Sequence, residues 1–466
     1  MISDLMGFGE LSHLIGARHY SFSSASGFSS ISIDSRNVKQ NSLFFALKGA
    51  SCDGHSFITN AFNAGASGAV VESSKLDDLN ILNIAKSMGK TLIVVQNTLK
   101  GLQDSAMVYL KKFDKIKKIG ITGSSGKSTT KEITSAIISA EKNTVMNKGN
   151  LNSETGLPLS VFEVRDHHEV GVFELGMNRA GEISEIANVL KPNIALVTNI
   201  GSAHIEFFGT KDKIFSEKKC IFNYLKNDDI ALIPANDEYS KKLAEGLENV
   251  KFYGAECFKE LEKTKSLGIE GTEIIFAGEK IHFALPGKHS LDDAMAAIAI
   301  AKEIPVSNKA IKQGLESVKP LFGRLEILKG RTTVICDCYN ANPESTAKSI
   351  EFCDSLEWNG RKVYVIADML ELGERSNDAH AQIGSLLAKS NANGIFLFGK
   401  EIESAVSELS SSLKIAGKTF LYTNNFDELQ SAIDKYLKTG DIVLLKGSRG
   451  CALERLTPML LGVNND

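Results

Sequence analysis

The residues of this chain best suited to chemistry form a short loop with the composition of a phosphate-binding segment: Gly123, Ser124, Ser125, Gly126, Lys127, Ser128 and Thr129. An apolar segment precedes the loop and a helical one follows, so a strand, a loop and a helix N-terminus are predicted. Backbone N–H groups in such a loop bind phosphates together with the helix dipole. Lys127 can reach the terminal phosphates of a nucleotide, and a hydroxyl of Ser128 or Thr129 can hold Mg²⁺. The alternative is an ordinary turn before an amphipathic helix.

The glycine spacing in this loop departs from the general phosphate-loop pattern. That pattern places a glycine five residues before Gly126, where this chain has Ile121. The match is therefore to a shorter variant, Gly-x-x-Gly-Lys-Ser-Thr. On its own, the loop predicts a phosphate donor and leaves the reaction open.

Polar residues also follow strands that we predict in the middle of the chain, and open α/β sheets bind their ligands at such strand ends. Glu174 ends an apolar strand and could ligate Mg²⁺ beside Ser128, with a solvated acid as the alternative. His204 follows a strand and a glycine turn, so it could ligate a metal or carry a proton, with a structural histidine as the alternative. The segment 217–220 has the pattern of a solvated charged turn.

Two further polar segments follow predicted strands near the C-terminus. Asp337 lies within an apolar strand end, where a carboxylate without a partner would be costly. Asn342 is predicted to cap the helix that Pro343 opens. Residues 446–450 form a basic, glycine-rich loop after a buried strand, which could face an anion or be a plain turn.

The elements that would position these residues form three α/β units, which we expect to be three domains. Alternating strands and helices predict largely parallel sheets with helices on both faces. The predicted strands are 31–33, 43–47, 69–71 and 92–95 in the first unit, 170–175, 194–198 and 230–234 in the second, and 333–336, 362–367, 394–398, 419–422 and 441–445 in the third. The predicted domains are 1–105, 106–322 and 323–466, with a phosphate-loop fold in the central domain and a Rossmann-like, doubly wound fold in the C-terminal one.

The composition is that of a globular cytosolic enzyme. With 466 residues, two or three domains are expected, and a net charge of −3 gives no reason to expect nucleic acid as a partner. Residues 1–10 lack the pattern of a signal peptide, and no apolar run approaches the ~20 residues of a membrane span. The seven cysteines are scattered, so reduced thiols are expected, and we predict that Cys336 and Cys338 point to opposite faces of a strand.

Taken together, these segments resemble the Mur ligase family, the ATP-dependent amide-forming enzymes of peptidoglycan precursor synthesis. The resemblance covers the whole chain, and the family's loop carries the shorter glycine pattern, which accounts for Ile121. Further matching segments, in family order, are 34–36 with 53–55, 149–152, 174–178, 199–204 and 337–343. The strings 339–343 and 369–374 are typical of the branch that adds D-alanyl-D-alanine.

The resemblance implies a reaction in which the terminal carboxylate of UDP-N-acetylmuramoyl-tripeptide attacks the γ-phosphate of ATP. The amine of D-alanyl-D-alanine then attacks the acyl phosphate. Lys127, His204, Lys218 and Arg324 would be catalytic, with ATP also bound by the loop 123–129 and by His289, Asp293 and Asp337. One magnesium ion would be held by Ser128 and Glu174, and a second by His204 and by Lys218 if this lysine is carbamylated.

The resemblance also assigns the other substrates. The UDP-sugar and peptide would be bound by Ser35, Arg36, Asp53, His55, Asn150 and Asn152, and D-alanyl-D-alanine by Tyr339, Asn340 and Asn342. The expected protein is a cytoplasmic monomer that neither inserts into membranes nor binds nucleic acid.

The chain departs from the family pattern at a few positions. Relatives usually show His-Asn-x-x-Asn at the adenine site, whereas this chain has His289, Ser290 and Asp293 there, so altered base selectivity is expected. Lys219 and Cys220 replace a small residue and Glu after Lys218, which makes carbamylation a hypothesis. Ser153 replaces an asparagine, and its contact with the peptide is expected to be shortened or lost.

Two other functions compete with this interpretation. A folylpolyglutamate synthase shares the loop variant, although the extra N-terminal domain and the string 339–343 argue against it. A catalytically impaired nucleotide-binding homologue is the second alternative, because residues 153, 220, 290 and 293 are altered. The third residue of the tripeptide and the resting domain arrangement are not determined by the sequence.

Overall fold

The computed structural model describes residues 4–78, 80–411 and 418–463. Three α/β domains follow one another along the chain, as predicted, although the exact boundaries at 105 and 322 stay predictions. Residues 1–3 of the segment inspected for a signal peptide lie outside the described ranges. Within those ranges, every helix is too short or too polar to cross a membrane.

The N-terminal domain is built on a five-stranded sheet in which β2 pairs antiparallel with β7 and the other neighbours are parallel. The five strands are β2 (Arg18–Ser21), β4 (Ser30–Ser32), β5 (Ser42–Phe45), β6 (Ala66–Glu72) and β7 (Thr91–Val95), and β1 (Met6–Gly7) and β3 (Gly27–Phe28) form a separate two-stranded sheet. The helices of the domain are α1 (Phe8–Leu14), α2 (Ile58–Asn63), α3 (Ile81–Ser87) and α4 (Thr98–Leu110). The short strand β2 is polar and largely exposed, so it carries no hydrophobic pattern from which it could be predicted.

The central domain contains a six-stranded, fully parallel sheet in the order β13-β12-β11-β8-β10-β9. Its sheet strands are β8 (Lys117–Thr122), β9 (Thr144–Met146), β10 (Val170–Glu174), β11 (Ile194–Val197), β12 (Ile230–Pro234) and β13 (Val250–Tyr253). The strand order reverses at β8: β9 and β10 lie on one side of this strand, and β11, β12 and β13 lie on the other. This switch point is where open parallel sheets bind ligands.

Helices cover both faces of the central sheet, and a three-stranded antiparallel sheet packs beside them. The helices are α5 (Lys127–Ser139), α6 (Gly156–Val161), α7 (Glu182–Leu190), α8 (Ile205–Phe208), α9 (Lys211–Lys219), α10 (Ser240–Ala244), α11 (Lys288–Ala301) and α12 (Asn308–Ser317), and the small sheet contains β14 (Leu261–Ser266), β15 (Thr272–Phe276) and β16 (Glu279–Phe283). The small sheet shares an apolar core with α11 and α12 through residues such as Phe276, Phe283 and Ile298.

The C-terminal domain is a doubly wound sheet in the order β17-β18-β22-β19-β20-β21. Its elements are β17 (Glu326–Lys329), β18 (Thr333–Asp337), β19 (Lys362–Ala367), β20 (Gly394–Phe398), β21 (Thr419–Thr423), β22 (Ile442–Lys446), α13 (Pro343–Ser355), α14 (Ser376–Lys389), α15 (Ser404–Ser411), α16 (Phe426–Tyr436) and α17 (Thr457–Leu461). All neighbours are parallel except the edge strand β17, which the sequence analysis did not predict.

The prediction for the cysteine pair at the end of β18 was wrong. Residues two apart on a strand share a face, because the side-chain period of a strand is two. The sulfur atoms of Cys336 and Cys338 accordingly lie 3.3 Å apart, and both side chains are buried. All seven cysteines are free, as expected.

Candidate active site

The phosphate loop connects β8 to α5 and is held against the end of β11. The amide of Ser124 donates to the carbonyl of Asn199 (3.0 Å), and the amide of Ser125 donates to Asn199 Oδ1 (3.1 Å). Gly123 and Gly126 have φ angles of +152° and +78°, and a Cβ at either would overlap Thr198 or Asp293 respectively. The glycines are therefore required both by conformation and by space.

Two lysines contact the same carbonyl at the base of this loop. The ammonium groups of Lys127 and Lys218 each lie 2.9 Å from the carbonyl oxygen of Gly123. The solvated turn predicted for 217–220 was wrong, because Lys218 lies in α9 and is 1% exposed, and its other polar contact is Met177 Sδ at 3.7 Å. Burial, reinforced by the charge of Lys127, holds the pKa of Lys218 well below its usual range. The site favours a neutral amine at Lys218.

Glu174 and Ser128 lie together, as the sequence predicted for a metal site. Glu174 ends β10, is buried, and accepts from Ser128 Oγ and from Asn152 Nδ2, both at 2.7 Å. Among the described residues, no cation lies within ion-pair distance of this carboxylate. Carboxylate and hydroxyl oxygens suit a hard divalent cation, so these residues fit Mg²⁺. Arg324 of the C-terminal domain reaches the same point, donating to Ser128 Oγ at 3.0 Å.

Asn147 is a functional position that the sequence analysis missed. Its side chain is fully buried and connects the segment around Leu151 to the end of β10 through hydrogen bonds. Nδ2 donates to the carbonyls of Leu151 (2.9 Å) and Glu174 (3.0 Å), and Oδ1 accepts from the amide of Glu174 (2.9 Å). The buried Lys131 donates to the carbonyl of Asn147 at 2.8 Å. The available signal was its place just after β9, at the same edge of the sheet as Glu174.

His204 lies in the same cleft but is paired with the C-terminal domain. Its Nδ1 lies 2.7 Å from Glu371 Oε2, an ion-pair distance at which the atoms are out of line for a hydrogen bond. His204 and Glu371 both have left-handed backbones, with φ angles of 65° and 63°. The close approach of His204, which outweighs the opposite effect of burial, holds the pKa of Glu371 below its usual value. Of the four predicted metal ligands, only Ser128 and Glu174 touch one another.

The residues predicted for the ribose and base line one end of the cleft. Asp337 is bound by Lys446 (2.8 Å) and Ser349 (2.5 Å). Although burial alone would raise the pKa of Asp337, these partners hold it below its usual value. Burial lowers the pKa of His289 to about 4, so its imidazole is neutral and can both donate and accept hydrogen bonds.

An ionised carboxylate at Asp293 would only accept hydrogen bonds, but the surroundings of this residue favour a different state. Asp293 is buried against Gly126 of the phosphate loop, and its hydrogen bond to Thr130 is long, at 3.4 Å. Burial, followed by the charge of Asp292, raises the pKa of Asp293 well above its usual value. A protonated carboxyl both donates and accepts, as an amide does.

Asn150 and Asn152 line the cleft with Ser153, whereas the residues predicted for the UDP-sugar do not lie along it. Asp34 caps the turn Ser35–Asn37 and pairs with Arg36 at 2.7 Å, which lowers the pKa of Asp34 to about 2. His55 is 3% exposed, with Nδ1 bound to Asp53 (2.6 Å) and Nε2 accepting from the amide of Glu72 (2.9 Å). His55 therefore shapes the fold of this turn.

The residues predicted for D-alanyl-D-alanine line the same cleft, which has a volume of about 1740 Å³, and Lys446 joins Asn340 to Asp337. Tyr339 lies under Arg324, whose guanidinium carbon is 4.4 Å from the ring centre. Asn342 caps α13 through Ser345 and is 7% exposed, and Asn340 Oδ1 accepts from the amide of Ala341. Much of the hydrogen-bonding capacity of both amides is thus used within the chain.

Glu344 in the first turn of α13 docks the C-terminal domain on the turn that follows β11. Its carboxylate accepts from Ser202 Oγ (2.6 Å) and from the Ser202 amide (3.2 Å), and it pairs with Lys211 (3.2 Å). The preceding Gly201 donates its amide to Ser124 Oγ at 2.8 Å. One continuous hydrogen-bonded path therefore joins the phosphate loop to the C-terminal domain.

Sequence profiles of three Mur ligase domains match this chain in order. The Mur ligase family catalytic domain matches residues 28–105, the Mur ligase middle domain matches 121–301, and the Mur ligase glutamate ligase domain matches 323–449. The chain belongs to the Mur ligase family.

Individual relatives match over nearly the full length. The UDP-N-acetylmuramoyl-tripeptide–D-alanyl-D-alanine ligase of Treponema pallidum is 38% identical over 98% of this chain and 99% of its own length. The crystal structure of MurF from Acinetobacter baumannii has a TM-score of 0.87 and 27% identity, covering 97% of this chain and 98% of that one. MurF from Thermotoga maritima, in complex with ADP, has a TM-score of 0.76 and 26% identity over 93% of this chain and 97% of that one.

Removing the Glu344 carboxylate should loosen the C-terminal domain. The E344A variant loses bonds to a charged group, which are worth about 1.5–3 kcal/mol each, and small-angle X-ray scattering should show a larger radius of gyration. The matched control is E270Q, because Glu270 and Lys329 also pair across the two domains but are both about 60% exposed. An unchanged radius of gyration in E344A would contradict the docking role.

The raised pKa of Asp293 predicts that the free energy of unfolding falls as pH rises. Above the pKa of an unfolded carboxyl, near 4, the folded protein holds a proton that the unfolded chain has lost, so stability declines until the folded pKa is passed. D293N should flatten this decline by about 1.4 kcal/mol per unit of raised pKa. Calorimetry between pH 5 and 8 measures the slope, with the exposed D212N as control. Equal slopes in D293N and the wild type would refute a protonated Asp293.

Proposed function

We propose that this chain uses ATP to join D-alanyl-D-alanine to UDP-N-acetylmuramoyl-tripeptide in peptidoglycan precursor synthesis, releasing ADP and phosphate. The observation that carries the proposal is the match, over nearly the full length of both chains, to ligases with this name. The site supports it, because a phosphate loop, a buried carboxylate and an arginine from the C-terminal domain meet at Ser128. No feature of the site favours a folylpolyglutamate synthase instead.

The first step makes a poor acylating agent reactive. An oxygen of the tripeptide carboxylate attacks the γ-phosphorus of ATP, a new P–O bond forms, and the bond to ADP breaks with its electron pair leaving on ADP. Charge builds on the phosphoryl oxygens, so cations must already be in place. Lys127 would exchange the Gly123 carbonyl for these oxygens, and Arg324 would bind them from the other side. Asn150 and Asn152 would orient the tripeptide carboxylate.

In the second step the dipeptide amine attacks the acyl carbon. A C–N bond forms, the C–O bond to phosphate breaks with its electron pair leaving on phosphate, and the leaving phosphate takes the proton that the amine loses. Water would compete for the same acyl phosphate, so the cleft has to exclude it. Docking of the C-terminal domain through Glu344 would provide this closure and would bring Tyr339, Asn340 and Asn342 to the dipeptide.

Ser128 and Glu174 would hold a magnesium ion, which would neutralise charge on the ATP phosphates. We propose His204 and a carbamylated Lys218 as the protein groups of a second site. A neutral lysine amine adds to CO₂ and releases a proton, and the resulting carbamate is an oxygen ligand with a negative charge. The burial that favours a neutral Lys218 therefore also favours its modification. Lys218 would have to leave the carbonyl of Gly123 to reach the ion.

The remaining assignments are also proposals. The N-terminal domain would bind the UDP-sugar through Ser35, Arg36, Asp53 and His55, with Arg36 the most accessible donor at 86% exposure of its side chain. A cytoplasmic, monomeric protein fits this role, and weaker base selectivity stays a prediction.

Carbamylation of Lys218 can be tested by ¹³C NMR of protein equilibrated with ¹³C-bicarbonate. The wild type should show a carbamate signal that K218R lacks, because an arginine guanidinium does not form one under these conditions. The neighbouring K219R is the matched control, since Lys219 is at the surface and donates to the carbonyls of Lys242 and Glu245. A density map with an unmodified Lys218 and both metals bound would contradict the proposal.

The activity itself is tested by phosphate release with ATP, Mg²⁺, UDP-N-acetylmuramoyl-tripeptide and D-alanyl-D-alanine. Phosphate should appear only when both peptide substrates are present. K127A should lower turnover by about 10³-fold or more, because it removes a preorganised charge from the phosphoryl group. K142A is the control, since Lys142 pairs with Glu169 at the surface. Release without the dipeptide, or none at all, would favour a different ligase or an impaired nucleotide-binding protein.

A further inference from the structure

The dipeptide that the proposed reaction consumes has a carboxylate at the end opposite its reacting amine. Tyr339, Asn340 and Asn342, the residues assigned to it from the sequence, carry no positive charge. Their amides are also partly engaged in the turn and cap before α13. A carboxylate taken from water into a protein cleft needs a cation or several donors. A charged partner is therefore missing from the assigned set.

Most cations along the cleft already have other partners. Lys127 and Arg324 serve the phosphate loop, and Lys131 is buried against Asn147. Lys446 is 2% exposed and pairs with Asp337. Lys348 acts electrostatically on His289 and Asp293, two residues predicted for the base.

Arg449 lines the cleft from the loop that follows β22. The loop is fixed by Ser448, whose amide donates to the carbonyl of Asp368 and whose hydroxyl accepts from the amide of Leu370, both at 2.9 Å. The guanidinium carbon of Arg449 lies 4.9 Å from the centre of the Phe322 ring. Both side groups are about half exposed, at 55% for the Arg449 side chain and 49% for Phe322. Stacking on the ring orients the guanidinium before any ligand arrives.

The donors of Arg449 are only partly used. Nη1 forms an ion pair with Glu454 Oε1 at 2.9 Å, and this guanidinium makes no hydrogen bond within the described part of the chain. A guanidinium carries five N–H donors, so one edge remains for a second carboxylate. Arginine and a carboxylate form paired, parallel hydrogen bonds, which fix orientation as well as add affinity.

Phe322 is also close along the chain to a residue of the phosphate site. It comes two residues before Arg324, which reaches Ser128 at the phosphate loop. The Cα atoms of Phe322 and Arg324 are therefore at most about 7 Å apart.

We propose that Arg449 binds the carboxylate of the dipeptide substrate and so selects a free C-terminal acid over neutral analogues. This inference rests on the proposed ligase function. Phe322 is the platform that holds the guanidinium, and Glu454 competes with the substrate for it.

The test pairs a change in the enzyme with a change in the substrate. Phosphate release is measured with D-alanyl-D-alanine and with its C-terminal amide, for the wild type and R449A. Loss of a charged hydrogen-bonded pair should lower kcat/KM for the acid about 10- to 100-fold in R449A. The amide, which lacks the carboxylate, should be used equally by both proteins, and R449K should recover part of the loss for the acid. KM for ATP should not change.

Two further variants keep the outcome decisive. E454Q removes the competing carboxylate and should lower KM for the acid, a gain that cannot arise from misfolding. R455A is the matched control, because Arg455 lies in the same segment but stacks on Phe426, away from the cleft. The inference is overturned if R449A lowers kcat/KM equally for the acid and for the amide. It is also overturned if K319A, a variant of another lysine along the cleft, abolishes the preference for the acid over the amide while R449A does not. If the wild type releases no phosphate with the acid, the proposed function itself fails.

Discussion

The structure depends most on how positive charge is arranged around the carbonyl of Gly123. Two lysine side chains point at this one oxygen, and no carboxylate pairs with either of them among the described residues. The dipole of the Gly123 carbonyl alone cannot offset two buried positive charges, so the two lysines are not expected to be charged to the same extent. Lys218, at 1% exposure, is driven toward the neutral amine, while Lys127 faces the cleft. A polyphosphate carries the negative charge that would complement these lysines.

The C-terminal domain contributes charged side chains to the region of the phosphate loop. Ser128 is the point at which the domains meet, because its hydroxyl donates to Glu174 and accepts from Arg324. A second connection runs from Ser124 through Gly201 and Ser202 to Glu344. Gly201 leaves no spare room, since a Cβ there would lie 3.3 Å from Ser124 and 3.4 Å from Glu344. The position of the phosphate loop and that of the C-terminal domain are therefore linked through directional hydrogen bonds rather than through apolar packing.

The features that could be predicted from the sequence are those that depend on residue types at short, fixed spacings. The loop 123–129, the strand-end acid Glu174 and the cap Asn342 follow from residue types at fixed spacings, and the structure places each of them as expected. The polar strand β2 and the antiparallel edge strand β17 carry no strong periodic signal.

Contacts between segments far apart in the chain could not be predicted in this way. The pair of Asp337 with Lys446, and that of His204 with Glu371, join residues more than one hundred positions apart. Asn147 illustrates the same limit, because its role comes from meeting Glu174 across neighbouring strands. The error over Cys336 and Cys338 was different, since the period of a strand alone places them on one face.

The exchange of an amide for Asp293 shows why residue type alone misjudges a site. Taken as a sequence change, it replaces a group that donates and accepts with one that only accepts, which suggests an impaired nucleotide pocket. In the fold, the carboxyl lies buried against the phosphate loop, and its burial, followed by the charge of Asp292, raises its pKa and so favours the protonated form. A protonated carboxyl is close to an amide in shape and in hydrogen bonding. The surroundings of Asp293 thus largely restore the chemistry that the substitution removes, and the argument for a catalytically impaired homologue loses one of its supports.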